Sequence, residues 1–385
     1  MTKEELLFRK RIMLLAMQKN KSLPNEQIQT IREELEETNQ EIELLHSTPR
    51  IIRSSKSLMD ELGLVEQVET QDNPIFLEPS NIKKKKRDIS KIIRSGISAM
   101  DKKIIGFNPG ELSVWSGSNG SGKSSMLSQM ALECVNEKFR CALFSGELDG
   151  DRVMDWISLQ AAGKKYVECT QYENYYTVPS EIRLRITKWL DGKLFIYNND
   201  YGNNAVKVLK AVRDCIIKNN INTVIIDNLM ALDMVSIDGE KYDRQSSLVK
   251  TMCSLAKKYS VHIHFVAHPR KSISFLRKTD ISGSADLTNA ADNVFIVHRV
   301  GTDFKKATQQ DLGFKDDNPM YCYSNVVEIC KNRDLGVQDA FIGTYFEKES
   351  KRFLNTLGEL KYYGWEVDNK GFIKVNDREK LPFDD

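Results

Sequence analysis

Hydrophobic and polar positions divide the chain into three regions of different spacing. Over residues 1–80 apolar residues recur at helical intervals, without strand alternation. Between Asn25 and Leu45, Ile28, Ile31, Leu35, Ile42 and Leu45 stand at heptad-like spacing among seven glutamates, and Pro24-Asn25 supplies a start signal. A second apolar helix, around Leu6 to Met17, would pair with it as a hairpin. Such a stripe serves equally to cover a small core or to self-associate. Residues 70 to 100 read as a linker, broken by Gln71-Asp72-Asn73-Pro74 and Pro79-Ser80-Asn81. From Gly110 onward short β-rich apolar runs alternate with helical stretches. The runs are Leu112–Gly117, Cys141–Ser145, Leu194–Tyr197, Thr223–Asp227, Val261–Ala267, Val294–Val297, Val326–Cys330 and Phe341–Phe346. Helices are expected over Ser124–Asn136, Asp151–Gly163, Ser180–Leu190, Ala205–Asn219 and Arg244–Tyr259. This alternation predicts an α/β fold, a mostly parallel central sheet with helices on both faces. The last two strands have no helix between them and form a hairpin at one edge. The expected organisation is an α-helical region over 1–80, a basic linker over 81–100, the α/β domain over 101–355 and a tail over 356–385.

Composition narrows this picture only slightly. The chain has 385 residues, and 56 basic against 54 acidic side chains leave a net charge of +2. Global charge therefore points to no particular partner. Locally it does: between Ile82 and Lys103 nine basic residues face two acidic ones, including Lys83-Lys84-Lys85-Lys86-Arg87. That run suits phosphates, an acidic partner surface or a solvated connector. No stretch is apolar enough to span a membrane, and the N-terminus lacks a signal-peptide core. Seven cysteines without a C-x-x-C pair read as idle thiols in a reducing compartment.

The chemistry begins at Gly117-Ser118-Asn119-Gly120-Ser121-Gly122-Lys123-Ser124, which fits G-x-x-x-x-G-K-[ST] between a strand and a helix. Glycines let successive backbone N–H groups face a phosphate, and the helix N-terminus adds partial positive charge. Lys123 would reach the β- and γ-phosphates, and Ser124 would place its hydroxyl on Mg²⁺. Two further strands end in acids, where open parallel sheets hold their ligands. Asp227 closes Thr223–Asp227 and is a candidate for Mg²⁺ or its water shell; a buried strand also ends in aspartate for no such reason. Glu147 follows Cys141–Ser145, where it either orients and deprotonates an attacking water or caps the helix near Asp151. His268, ending the next strand in Val266-Ala267-His268-Pro269-Arg270-Lys271, would contact the γ-phosphate. His262 and His264 share a strand face, but no cysteine or carboxylate completes a metal set. Packed or hydrogen-bonded histidines, and no zinc, are expected.

Taken in order, these pieces resemble the RecA-like motor domain of the hexameric replicative DNA helicases, the DnaB, Twinkle and phage primase-helicase type. Besides the phosphate loop and Ser145-Gly146-Glu147-Leu148, the resemblance rests on four stretches. They are Arg94 to Asp101 continuing through Gly106-Phe107-Asn108-Pro109-Gly110-Glu111-Leu112, Asp280 to Ala285, Ala290 to Val294, and Lys331-Asn332-Arg333 with Gly336. It covers about residues 90 to 355. No primase domain is expected with it, because the first 80 residues carry neither the catalytic acid clusters nor the cysteine-set zinc module of a primase.

The resemblance implies an ATP-dependent, ring-forming replicative helicase, expected as a hexamer in the cytoplasm of a bacterial or phage-infected cell. It would translocate on single-stranded DNA and unwind forked duplexes. The cofactors would be ATP, or another nucleoside triphosphate, and Mg²⁺. Arg333 would be an arginine finger acting on the neighbour's nucleotide with Lys331 as companion; on residues alone both are equally surface charges at a strand end. Ser125 would complete the phosphate loop, and Arg299 and Phe346 fall where the family contacts the base. DNA phosphates would meet Arg270, Lys271, Arg277 and Lys278, with Gly283 and Ser284 as close-approach backbone. The linker from Pro79 to Arg94 should carry a helix that docks on the adjacent subunit. A primase, polymerase or loader would dock on the N-terminal helices or on the tail Lys380 to Asp385, whose Phe383 stands among acids. Two other readings share the same core: a RecA/RadA-like recombination ATPase that forms a filament, and a nucleotide-gated oligomeric switch that does not act on DNA.

Overall fold

A computed structural model describes residues 3–18, 24–47, 57–64, 76–82, 87–269, 275–281 and 285–366. The chain divides into two compact units, Met1–Lys56 and Ser57–Asp385. In the first unit helices α1 (Lys3–Gln18) and α2 (Asn25–Ser47) pack against each other, as the apolar spacing predicts. Leu14, Ile31 and Thr38 are buried there, so part of the stripe covers this small core.

The second unit starts with α3 (Leu58–Glu61), whose Leu58 joins the core together with Leu62 and Leu64. Next come α4 (Ser98–Ile104), β1 (Leu112–Ser116), α5 (Lys123–Asn136), β2 (Cys141–Ser145) and α6 (Gly150–Ala162). A short hairpin, β3 (Glu168–Cys169) with β4 (Tyr176–Thr177), precedes α7 (Ser180–Leu190), β5 (Leu194–Ile196), α8 (Ala205–Asn219) and β6 (Thr223–Asp227). Then follow α9 (Lys241–Tyr259), β7 (His262–Val266), α10 (Ala285–Ala290), β8 (Asn293–Arg299) and α11 (Thr302–Leu312). Strands β9 (Asn325–Asn332), β10 (Ala340–Glu347) and β11 (Arg352–Leu354) end the sheet.

Nine strands form one sheet in the order β11-β10-β9-β8-β1-β7-β6-β2-β5. Strands β5, β2, β6, β7, β1 and β8 are parallel, and β9, β10 and β11 are added antiparallel. The expected hairpin is β9–β10; β11 extends it. Because side chains alternate across a strand, β1 sends Leu112 and Val114 to one face and Trp115 to the other. The first face is covered by α8, α9 and α10, the second by α4, α5, α6 and α7. Burial on both sides explains why the strands read as continuous apolar runs.

The folded unit also takes in residues assigned from sequence to the linker and the tail. Ile92, Ile93 and Ile97 are buried, and Tyr363 and Trp365 are core residues. Tyr363 donates its hydroxyl to Glu133 at 2.8 Å, and Arg352, 4 % exposed, donates to the carbonyls of Ala161 and Lys361 at 2.9 and 2.7 Å. These bonds fasten the segment after residue 355 to α5 and α6. The basic run Lys83 to Lys86 and the tail from residue 367 lie outside the described residues. Arg87 is described and is ion-paired with Asp334.

Candidate active site

Strand β1 delivers the phosphate loop to the N-terminus of α5. Gly122 caps that helix at φ +96°, a left-handed conformation that side chains with a Cβ avoid, and a Cβ there would stand 2.7 Å from Phe353. Lys123 is 7 % exposed, and its ammonium donates to the carbonyls of Gly117 and Ser118 at 2.8 and 3.0 Å. Burial lowers its pKa, while the charges of Asp227 and Glu147 oppose that shift. From the far side Asn325 donates to the Ser121 carbonyl at 2.8 Å, tying the loop to β9.

Register brings the acids to the same place. Ser145 on β2 stands opposite Asp227 on β6, and the Gly146 N–H donates to the Asp227 carbonyl at 2.7 Å. Glu147 therefore emerges beside Asp227. Asp227 accepts from the Ser124 hydroxyl; burial raises its carboxyl above the ordinary value, and the Glu147 charge adds to this. Glu147 accepts a hydrogen bond from Asn228, and its Oε1 lies 3.3 Å from Nε2 of His268, two residues beyond β7. All of this borders one cavity of about 660 Å³.

Of the residues singled out from sequence, Ser118, Asn119, Gly120, Gly122, Lys123, Ser124, Ser125, Glu147, Asp227, His268 and Phe346 line this cavity. Gly117 and Ser121 belong to the same loop but do not line it. Asn228, Met230, Pro269 and Trp156 also line it and had not been singled out. Asn228 directly follows the strand-terminal acid, a signal that was available. Trp156 is one half-buried position of an amphipathic helix, and nothing local marks it. Arg299 is exposed at the end of β8 and does not line the cavity.

Other expected residues lie elsewhere. Asn332 pairs with Asn293, the first residue of β8, so Lys331 and Arg333 sit at the N-terminal ends of the parallel strands, opposite the phosphate loop. Lys331 donates to the carbonyls of Thr288, Asn289 and Ala291, and Arg333 is paired with Asp292 at 2.8 Å. Arg277 lies 3.7 Å from the buried carboxylate of Glu328 and over the Phe275 ring; Lys278 is half-buried. Arg270, Lys271, Gly283 and Ser284 lie outside the described residues. His262 bonds the Ser113 hydroxyl at 2.8 Å and the Asn108 carbonyl at 2.7 Å, and His264 accepts from the Trp115 indole at 3.1 Å, the hydrogen-bonded arrangement expected of them. A second cavity of about 650 Å³, between β5 and α8, has no carboxylate in its lining.

The model of the family described as DnaB-like helicase C terminal domain matches residues 93–355. The chain belongs to that family. Its fold is similar to a solved structure described as an ATPase domain, at 17 % identity and a TM-score of 0.53 over 69 % of this chain and 91 % of that one. It is similar also to "The Structure Of A DnaB-Like Replicative Helicase And Its Interactions With Primase", at 17 % identity and a TM-score of 0.54 over 92 % of this chain and 77 % of that one. As a DnaB-like replicative helicase it is an ATP-hydrolysing enzyme with the RecA-like fold of that family, which acts on DNA as oligomeric rings. Among the described residues no helix is long and apolar enough to cross a membrane.

Proposed function

We propose that this DnaB-like helicase forms a hexameric ring whose ATP sites are shared between subunits, and that it pulls one DNA strand through the ring to open a forked duplex. The observation that carries this reading is the separation of Arg333 from its own phosphate loop. The two lie at opposite ends of β1 and β8, and the five residues of β1 span about 16 Å. An arginine side chain does not bridge that distance, so Arg333 is useful for phosphoryl transfer only at a neighbour's nucleotide, with Lys331 beside it. A cation supplied across the interface stabilises transition-state charge and makes turnover depend on subunit position.

Within one subunit the geometry supports the following roles. Backbone N–H groups of the loop from Gly117 to Ser125 and the ammonium of Lys123 would bind the phosphates of ATP. Ser124 and Asp227 present hard oxygen donors side by side, which suits Mg²⁺; the bound ion would neutralise phosphate charge. Glu147, held by Asn228, would orient the attacking water and take its proton. His268, in contact with Glu147, would register the γ-phosphate and pass its presence to the loop that follows. Phe346, which lines the cavity, would meet the base. In that following loop Arg270, Lys271, Arg277 and Lys278, with the backbone of Gly283 and Ser284, would hold successive DNA phosphates without reading sequence. Residues 1–80 and the tail would serve primase, polymerase or loader contacts.

Mixing two inactive variants tests the shared site. Lys123→Ala lacks the phosphate cation and Arg333→Ala lacks the finger, yet a mixed ring contains some interfaces with both. ATPase activity above that of either variant alone is expected. No recovery in rings shown to have exchanged subunits would contradict the reading.

A further inference from the structure

Trp156 stands where two cavities meet. It lines the cavity of about 660 Å³ that contains the phosphate loop, and it lines a smaller one of about 320 Å³. Tyr175 and Tyr176 of the β3–β4 hairpin border the smaller cavity, and so does Lys351 in the turn between β10 and β11. Lys351 does not line the larger cavity, and its ammonium sits 5.2 Å from the centre of the Trp156 ring. A cation over an aromatic face is attracted by the ring's charge distribution and holds the ring in place. The half-buried indole is therefore propped from the side of the smaller cavity while it forms a wall of the larger one.

Its place along that wall is set by α6 and by strand order. One turn beyond Trp156, Gln160 donates to the Ser125 carbonyl at 2.7 Å and to the Lys351 carbonyl at 2.9 Å. Residues four apart share a helix face, so Trp156 stands beside the first turn of α5. In the sheet, β10 lies on one side of β1, and β6 and β2 lie on the other. The β10–β11 turn is thus across the phosphate loop from Glu147, and Trp156 meets that turn through Lys351. Lys123 serves the β- and γ-phosphates, with Glu147 and His268 at the γ end. A nucleotide that lies along the loop in this direction passes Ser125 and brings its base to Trp156. Phe346 is on the same side, but its ring is already packed against Phe353, with centres 5.2 Å apart.

We propose that Trp156 is the stacking platform for the nucleobase, and that it makes the site prefer purine to pyrimidine nucleotides. The larger ring of a purine covers more of the indole, and stacking reads area rather than hydrogen-bonding pattern. This rests on the reading of the larger cavity as the ATP site.

The test compares binding of ADP, CDP and inorganic pyrophosphate to the full-length chain with Mg²⁺, by calorimetry. In Trp156→Ala, ADP should bind about five-fold or more weakly, as loss of one stacked base predicts, and the preference for ADP over CDP should vanish. Pyrophosphate, which has no base, should bind within about two-fold of wild type. Trp156→Phe, which keeps a ring, should recover most of the ADP affinity. Tryptophan fluorescence gives a second readout: ADP should quench wild type, pyrophosphate should not, and the ADP quench should be lost in Trp156→Phe. Trp115 and Trp365 are buried and do not line the cavity, so they do not supply that signal. Unchanged ADP affinity in Trp156→Ala overturns the proposal, as does a wild type without preference for ADP over CDP. An equal loss of ADP and pyrophosphate also overturns it, because Trp156 would then support the phosphate loop. Lys123→Ala separates this failure from that of the site itself. If that variant weakens neither ADP nor pyrophosphate, the ATP-site reading falls; if it weakens both while Trp156→Ala leaves ADP unchanged, only the platform falls.

Discussion

Replacing Glu147 by glutamine would remove the base proposed for the attacking water and leave its surroundings in place. The side chain reaches into the cavity from just past the end of β2, more than half exposed, and its polar contacts are Asn228 and His268. A glutamine of the same shape keeps an oxygen for Asn228 but has no basicity to take a proton from water. Losing a positioned general base costs about 10²- to 10⁴-fold in rate, or about 3 to 5 kcal/mol of barrier. Nucleotide affinity should stay within about two-fold of wild type, because the groups proposed to bind phosphate are untouched. A secondary effect has a definite sign. The Glu147 charge helps hold the Asp227 carboxyl above its ordinary value, so its removal lets Asp227 ionise more readily. Single-turnover hydrolysis of ATP in Glu147→Gln, with affinity measured by a fluorescent nucleotide, checks both halves. Turnover within three-fold of wild type would remove Glu147 from the chemistry. An equal loss of affinity and rate would make it a binding residue instead.

Two further outcomes follow from buried polar groups. Gln160 donates to the Ser125 carbonyl at 2.7 Å and the Lys351 carbonyl at 2.9 Å, clamping the β10–β11 turn to the phosphate helix; Gln160→Leu should cost about 2 to 4 kcal/mol by leaving two carbonyls short, measured as a lower urea midpoint. His262 is fully buried and titrates at about 4 against 6.5 when unfolded. Between those values the unfolded chain binds the extra proton, so stability is full above pH 6.5 and falls as pH drops toward 4, by about 2 kcal/mol at pH 5 from this group alone. Burial shifts His264 the same way. Unfolding free energies at pH 7 and pH 5 that coincide would contradict this.

Much of the motor is legible in the chain because its strands are buried on both faces and its candidate site residues sit at strand ends. Cys141–Ser145 and Thr223–Asp227 have the bounds their apolar runs predict, and the acid at or just past each end lines the cavity. The phosphate loop is explicit because phosphate binding by backbone N–H groups demands glycines and a lysine at set spacing. Elements that depend on distant partners are not legible in this way. The three-residue strand β11 is specified by pairing with β10 and by Gln129, which bonds both the N–H and the carbonyl of Phe353. Helix α4 is short and lies where a basic, Gly- and Ser-containing stretch suggests a linker; its Met100 and Ile104 reveal themselves only by burial. Tyr363 and Trp365 look like the start of a tail until the carboxylate of Glu133 and the carbonyl of Ala161 are placed beside them. Lys331 and Arg333 are visible as cations, but their ties to α10 run across some 40 positions of sequence and leave no local trace. Trp156 lines the candidate-site cavity through the packing of α6 on α5, which no periodicity encodes.

ATP turnover at this site should drive the chain along DNA. Steady-state ATPase with and without single-stranded DNA, measured alongside displacement of one strand from a forked duplex, decides whether it does. Stimulation by single strands together with strand displacement is expected, both abolished in Glu147→Gln. Turnover indifferent to DNA, with no displacement, would contradict the coupling of this site to movement on DNA.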